Sequence, residues 1–274
     1  MVSASTIALI GFGEAGSTFA MAAGWEAAAS AYDLLPARRE AMREARVVAC
    51  ASAGDALSGA DIVLSLVTAE AALQVARDYA ALLGPGAIWC DMNSVAPETK
   101  REAARVIEAA GGRYVDVAVL APVHPARMNV PLLLAGAAAA EAEDLLHRAG
   151  FSNVRCVGAE VGRASAIKMI RSVMVKGVEA LTAEMMLAAT RAGVEEEVLS
   201  SLDASEKTDS WFARAAYNLE RMTTHGLRRA AEMEEACKTL SGFGVEPVMT
   251  EGTVRRQREQ AGKAMPFHAE RTGA

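Results

Sequence analysis

The apolar run Ile7-Ala8-Leu9-Ile10 leads straight into Gly11-Phe12-Gly13-Glu14-Ala15-Gly16, and no other stretch constrains the fold as tightly. A helix-like segment follows, then a second apolar run, Ala27 to Tyr32, that ends on Asp33. Strand, glycine hexad, helix, strand and acid in that order predict a dinucleotide-binding βαβ unit. Gly11 would allow the tight turn, Gly13 would let the backbone approach a pyrophosphate, and Gly16 would let the helix lie close on the strand. The phosphates would meet a helix N-terminus, where unpaired N–H groups and the macrodipole favour an anion. The hexad from Gly11 through Phe12, Gly13, Glu14 and Ala15 to Gly16 is therefore the expected cofactor loop. Asp33 is placed to accept hydrogen bonds from an adenosine ribose, and Val67, at the end of another predicted strand, is a further cofactor candidate. Asp33 would repel a ribose phosphate and favours NAD, whereas Arg38 and Arg39 could bind one and leave NADP open.

A chain of 274 residues suits two domains with a sizeable core in each. Its 52% hydrophobic content is rich in alanine and poor in aromatics, which favours helices packed through small side chains. The net charge of −6 and the absence of a basic stripe argue against nucleic acid. No apolar run reaches the roughly 18 residues of a membrane span, and the N-terminus has no secretory pattern, so a cytoplasmic protein is expected. Cys50, Cys90, Cys156 and Cys237 are scattered, as are His124, His147, His225 and His268; neither set has metal-ligand spacing, and no metal site is expected.

The alternation continues with runs at Val47 to Ala49, Asp61 to Leu66 and Ala87 to Asp91, separated by helical stretches, which implies parallel strands joined by crossovers. Tyr114 to Leu120, Leu132 to Ala135 and Val154 to Val157 extend the sheet, with a helix over Glu141 to Ala149. From Glu160 the period changes: apolar residues at helical spacing predict one long helix to Ala192, stopped by Gly193. Glu195 to Leu202, Ser210 to Met222 and Leu227 to Ser241 read as further helices, and Arg255 to Ala274 as a frayed tail. The expected architecture is α/β: an N-terminal Rossmann domain over 1–158, an all-helical domain over 159–254 and a tail over 255–274.

Asp91-Met92-Asn93-Ser94 ends a predicted strand at the sheet edge where ligands bind, making Asn93 and Ser94 candidate contacts; either could equally cap the helix entered at Pro97. Lys168 falls on the first turns of the long helix and could face an interdomain cleft. An ammonium there can donate a proton to an oxygen gaining charge as a carbonyl is reduced, and the neutral amine can act in reverse. His124, between Pro122 and Pro125 in a loop after a strand, is a pocket candidate. Arg221, His225, Arg228, Arg229 and Glu232 recur at helical spacing and could clamp a carboxylate, though a solvated charged face explains them as well.

The hexad, the Asp91 to Ser94 turn and the Gly162-Arg163-Ala164-Ser165-Ala166-Ile167-Lys168 segment stand in the order of the β-hydroxyacid dehydrogenases, the superfamily of 3-hydroxyisobutyrate and 6-phosphogluconate dehydrogenases, which this chain resembles over most of its length. The resemblance implies a Rossmann domain, a helical domain built on a long helix, nicotinamide-dependent oxidation of a small hydroxyacid, Lys168 as the catalytic lysine, and a homodimer or higher homo-oligomer. Three departures mark a divergent branch. Asp116 to Pro125 lacks the Ser-Gly-Gly that follows Asp-x-Pro-Val in the family; Ala164 and Ser172 replace a glycine and an asparagine, leaving Ser172 as a substrate-binding candidate; and the late Lys-Asp pair is absent. These departures keep two rivals open, an imine reductase of the same fold and a nucleotide-binding protein without catalysis.

Overall fold

The computed structural model describes residues 6–205 and 210–263. The chain separates into two compact units, Met1–Arg171 and Ser172–Ala274. The division between these units falls inside the long helix, about one turn past Lys168.

The first unit is built on eight strands: β1 (Ile7–Ile10), β2 (Ala29–Tyr32), β3 (Val48–Ala49), β4 (Ile62–Ser65), β5 (Ile88–Asp91), β6 (Arg113–Val119), β7 (Leu132–Ala135) and β8 (Val154–Gly158). Their order in the sheet is β3-β2-β1-β4-β5-β6-β7-β8. Every pair is parallel except β6 with β7. That antiparallel pair departs from the all-parallel expectation. Only the one-turn helix α6 (Val123–Ala126) and a short 3₁₀ turn separate the two strands, and without a crossover helix the chain returns antiparallel. The remaining helices of this unit are α1 (Glu14–Ala23), α2 (Arg38–Glu44), α3 (Ala53–Leu57), α4 (Ala72–Tyr79), α5 (Pro97–Ala109) and α7 (Ala139–Arg148), followed by the start of α8 (Arg163–Ala192).

Successive strand residues face opposite sides, so the central strands feed two cores. Ile7, Leu9, Leu64, Cys90 and Val117 join one with Phe19 and Phe151. Ala8, Ile10, Val63, Trp89 and Tyr114 join the other with Leu57 and Ile107. Burial on both faces is why these strands read as continuous apolar runs.

The second unit is helical: the rest of α8, then α9 (Glu195–Ser205), α10 (Trp211–Gly242) and α11 (Val248–Gln260). Gly193 ends α8 at φ 67°, as expected of a helix stop. The two helices expected over Ser210 to Met222 and Leu227 to Ser241 are a single helix, α10. Gly226 lies inside it because a Cβ there would stand 2.4 Å from the Gln257 carbonyl oxygen of α11. The tail expected from Arg255 does not begin there, since α11 continues to Gln260 with Val254 and Gln257 buried; residues 264–274 lie outside the described residues.

Candidate active site

The glycine hexad separates structural from ligand-facing glycines. Gly11 sits at φ 93°, and a Cβ on it would lie 2.5 Å from the Leu66 carbonyl oxygen. A Cβ on Gly16 would lie 2.8 Å from the Gly11 carbonyl oxygen, so the start of α1 packs directly on the turn. A Cβ on Gly13 would meet nothing within 4 Å. Gly13 is also the N-cap of α1 and supplies no side-chain cap, which leaves an open backbone surface at a helix N-terminus. These residues fit a dinucleotide: one glycine for the turn, one for the packing, one for a ligand that approaches the backbone.

Phe12 belongs to the interior. Its ring is buried in the core and its N–H donates to Asp33 Oδ2 at 2.7 Å. Asp33 Oδ1 accepts from the Leu35 N–H at 2.8 Å. The Asp33 carboxylate thereby ties the glycine turn to the segment after β2 while lining a cleft of about 390 Å³. Gly13, Arg38, Val67 and Tyr79 line the same cleft.

A second cavity, of about 270 Å³, opens at the carboxyl end of the sheet, lined by Glu14, Ala15, Met92, Ser94, Pro122 and Lys168 among others. Here the Lys168 ammonium donates a hydrogen bond to the Ser94 hydroxyl. Seventy-four residues of sequence separate the two. Neither Asn93 nor Ser94 caps α5; its N-cap is Ala96, with no side-chain bond.

Asn93 does not face this cavity. It is buried, its Oδ1 accepts from the Val67 N–H at 2.7 Å, and its Nδ2 donates to Ser65 Oγ at 3.1 Å and Asp91 Oδ1 at 2.8 Å. These bonds brace the end of β4 against the turn that presents Ser94. His124 is likewise turned elsewhere: its Nε2 pairs with the Thr18 hydroxyl of α1 at 2.9 Å, while its neighbours Pro122 and Val123 form the cavity wall.

Beneath the Ser94 and Lys168 pair lies a charge cluster that the sequence reading missed. Asp91 and Asp116 are register partners on adjacent strands, both fully enclosed. Lys100, on α5 and 0% exposed, reaches Asp91 Oδ1 at 2.9 Å, the Asp91 carbonyl at 2.6 Å and Asp116 Oδ1 at 3.6 Å. Tyr114 donates its hydroxyl to Asp91 Oδ2 at 2.6 Å. Burial, and then the Asp91 carboxylate, push the Tyr114 hydroxyl well above its usual range, so it remains a donor. The signal available in the sequence was weak: a lysine on an amphipathic helix is ordinarily solvated.

Ser172 opens the second unit, half-buried on α8. Arg221, His225, Arg228 and Arg229 lie along α10, with His225 and Arg228 exposed and the Arg221 guanidinium 5.9 Å from the Tyr217 ring centroid. The Glu232 side chain lies outside the described residues. Among the described residues no group of three or more His, Cys, Asp or Glu side chains converges to hold a metal ion. Nor is any helix among them long and apolar enough to cross a membrane.

The fold and the glycine loop define the class, a nucleotide-binding α/β unit followed by a helical one. Residues 6–158 match the NAD binding domain of 6-phosphogluconate dehydrogenase, and the chain belongs to that family. Residues 189–260 match a domain of unknown function, DUF1932. A conserved hypothetical protein from Sinorhizobium meliloti 1021 is 39% identical, with a TM-score of 0.64 over 94% of this chain and 88% of that one. A conserved protein of unknown function, described as structurally similar to 3-hydroxyacid dehydrogenases, is 32% identical, with a TM-score of 0.61 over 93% and 96%. An imine reductase from Myxococcus stipitatus in complex with NADP+ shares the fold at 18% identity, with a TM-score of 0.77 over 93% of both chains.

Proposed function

We propose that this protein is an oxidoreductase that moves a hydride between NAD(P) and a small hydroxyacid or related alcohol, with Lys168 as general acid/base. The observation that carries the reading is the Lys168 to Ser94 hydrogen bond in a cavity whose wall includes Glu14 and Ala15 of the cofactor loop. Gly13, Glu14 and Ala15 would hold the pyrophosphate at the N-terminus of α1, and Asp33 and Val67 would line the adenosine side. When bound, the nicotinamide supplies or takes the hydride. In reduction, the Lys168 ammonium donates a proton to the substrate oxygen as it gains negative charge; in oxidation, the neutral amine takes the hydroxyl proton. Ser94 fixes the direction of the Lys168 side chain, and its own hydroxyl is free in geometry to turn toward the same oxygen. Asp33 supports NAD, while Arg38 on the same cleft supports a ribose phosphate; titrating both cofactors into wild type and Arg38→Ala decides between them.

A second reading, an imine reductase, is favoured by the cavity wall. Val119, Ala121, Pro122 and Val123 present apolar surface where the family carries a Ser-Gly-Gly carboxylate cradle. Offering hydroxyacids and alcohols with oxidised cofactor, and ketoacids and cyclic imines with reduced cofactor, separates the readings by which compounds turn over. A homo-oligomeric protein is part of the proposal, supported by exposed apolar side chains on α8 such as Ile170 at 72% and Val173 at 76%. A solution mass equal to one chain would remove that part.

A further inference from the structure

Asp91 and Asp116 sit side by side on parallel strands, at a spacing of about 4.8 Å between strands. Two enclosed carboxylates so close repel one another unless a cation is shared between them. Lys100 is that cation, yet one positive charge against two negative ones leaves the cluster at net −1. The remaining charge is met by a helix end. Asp116 Oδ2 accepts from the Gly162 N–H at 3.1 Å, the Ser165 N–H at 2.9 Å and the Ser165 hydroxyl at 3.0 Å, all at the start of α8. A carboxylate from another element thus caps this helix, where the macrodipole is positive. Asp116 Oδ1 is buried with no hydrogen-bond partner among the described residues and faces Lys100.

The cluster has two arms, and each ends close in sequence to one member of the cavity pair. Through Asp91, it holds the Asn93 N–H at 2.9 Å and the Asn93 amide at 2.8 Å, fixing the turn whose next residue is Ser94. Through Asp116, it holds Ser165, one helical turn before Lys168. We infer that Lys100, with Asp91 and Asp116, forms a positioning cluster that sets the Ser94 hydroxyl and the Lys168 ammonium against each other. The inference deepens the proposed function, because the pair matters to turnover only if Lys168 is the acid/base. Glu14 lines the same cavity as Lys168, and Arg171, one turn further on, reaches the Leu120 carbonyl at 3.4 Å. Both stay unchanged in the variants below.

The test needs no substrate. The chain holds six lysines, so protein labelled with [ε-¹³C]lysine gives a resolvable proton–carbon spectrum in which Lys168→Met assigns the Lys168 signal. Ser94→Ala should move that signal. Asp116→Asn, which keeps the shape but removes the charge, should move it in the same sense, and the double variant should go no further than Ser94→Ala alone, as expected of coupled sites. A substitution that only lowers stability leaves the folded-state signal in place. Should Asp116→Asn fail to fold, Ser165→Ala removes a single hydroxyl donor and should give a smaller move of the same sign. An unmoved signal in Asp116→Asn, with Ser94→Ala shifted, overturns the positioning role. An unmoved signal in Ser94→Ala contradicts the pair itself and overturns it as well. With a substrate in hand, Asp116→Asn should lower kcat by about tenfold or more and leave KM nearly unchanged, the mark of a misplaced group rather than a lost contact. Loss of turnover in Lys168→Met tests the proposed function separately.

Discussion

Replacing Lys100 with methionine keeps the length of the side chain and removes its charge. The ammonium is 0% exposed and stands 2.9 Å from one carboxylate and 3.6 Å from another. At an effective dielectric of about 20, each contact carries roughly 5 kcal/mol of attraction before desolvation is counted. Desolvation takes back much of this, and breaking a buried pair by removing one partner costs about 3–5 kcal/mol, because the remaining charges are stranded. Methionine also leaves the Asp91 carbonyl without the donor now 2.6 Å away. Lys100→Met should therefore lose about 3–5 kcal/mol of stability. Urea unfolding read by hydrogen exchange in peptides from 6–171 measures it in the first unit alone. A loss under about 1 kcal/mol, the range of an exposed pair, would show that the enclosed ammonium does not hold the two carboxylates together.

Gly13→Ala should change stability by less than about 0.5 kcal/mol, since its Cβ enters open space, yet weaken cofactor binding by about tenfold or more; Gly16→Ala should destabilise the fold through its 2.8 Å contact with the Gly11 carbonyl. Thermal melts and cofactor titrations of the two variants distinguish these outcomes. In the second unit, burial alone would raise the Glu184 carboxyl, but the Thr250 hydroxyl and the Met249 and Thr250 amides together hold it below its usual value of 4.5. A depressed carboxylate contributes stability above its unfolded pKa and loses it as pH falls through the folded one, so hydrogen-exchange protection of α11 should drop below pH 4.5, and Glu184→Gln should lose that dependence.

The cofactor loop was legible because its chemistry is contiguous. Gly11, Gly13 and Gly16 act within one turn, and their spacing carries the geometry. Lys168 was found through its place after Gly162. What escaped was anything made by the register of distant strands. Asp91 and Asp116 meet only because β5 and β6 pair, and the one local sign of Lys100 is its place on the same face of α5 as Ala103, Ala104 and Ile107, a face on which a lysine is unexpected. The hydrogen bonds of Asn93 are also invisible locally, because the Val67 N–H comes from the loop after β4. The two helices expected over Ser210 to Met222 and Leu227 to Ser241 are one, and Gly226 within it lets α10 cross α11 closely, a contact between segments distant in sequence.

Whether Lys168 moves the substrate proton is measured by following nicotinamide absorbance for wild type and Lys168→Met across the hydroxyacid, alcohol, ketoacid and imine panel, with cofactor affinity determined alongside. Turnover should fall by about a hundredfold or more in the variant while cofactor affinity stays within about twofold. Turnover retained in Lys168→Met with the same substrate would mean that another group moves the proton.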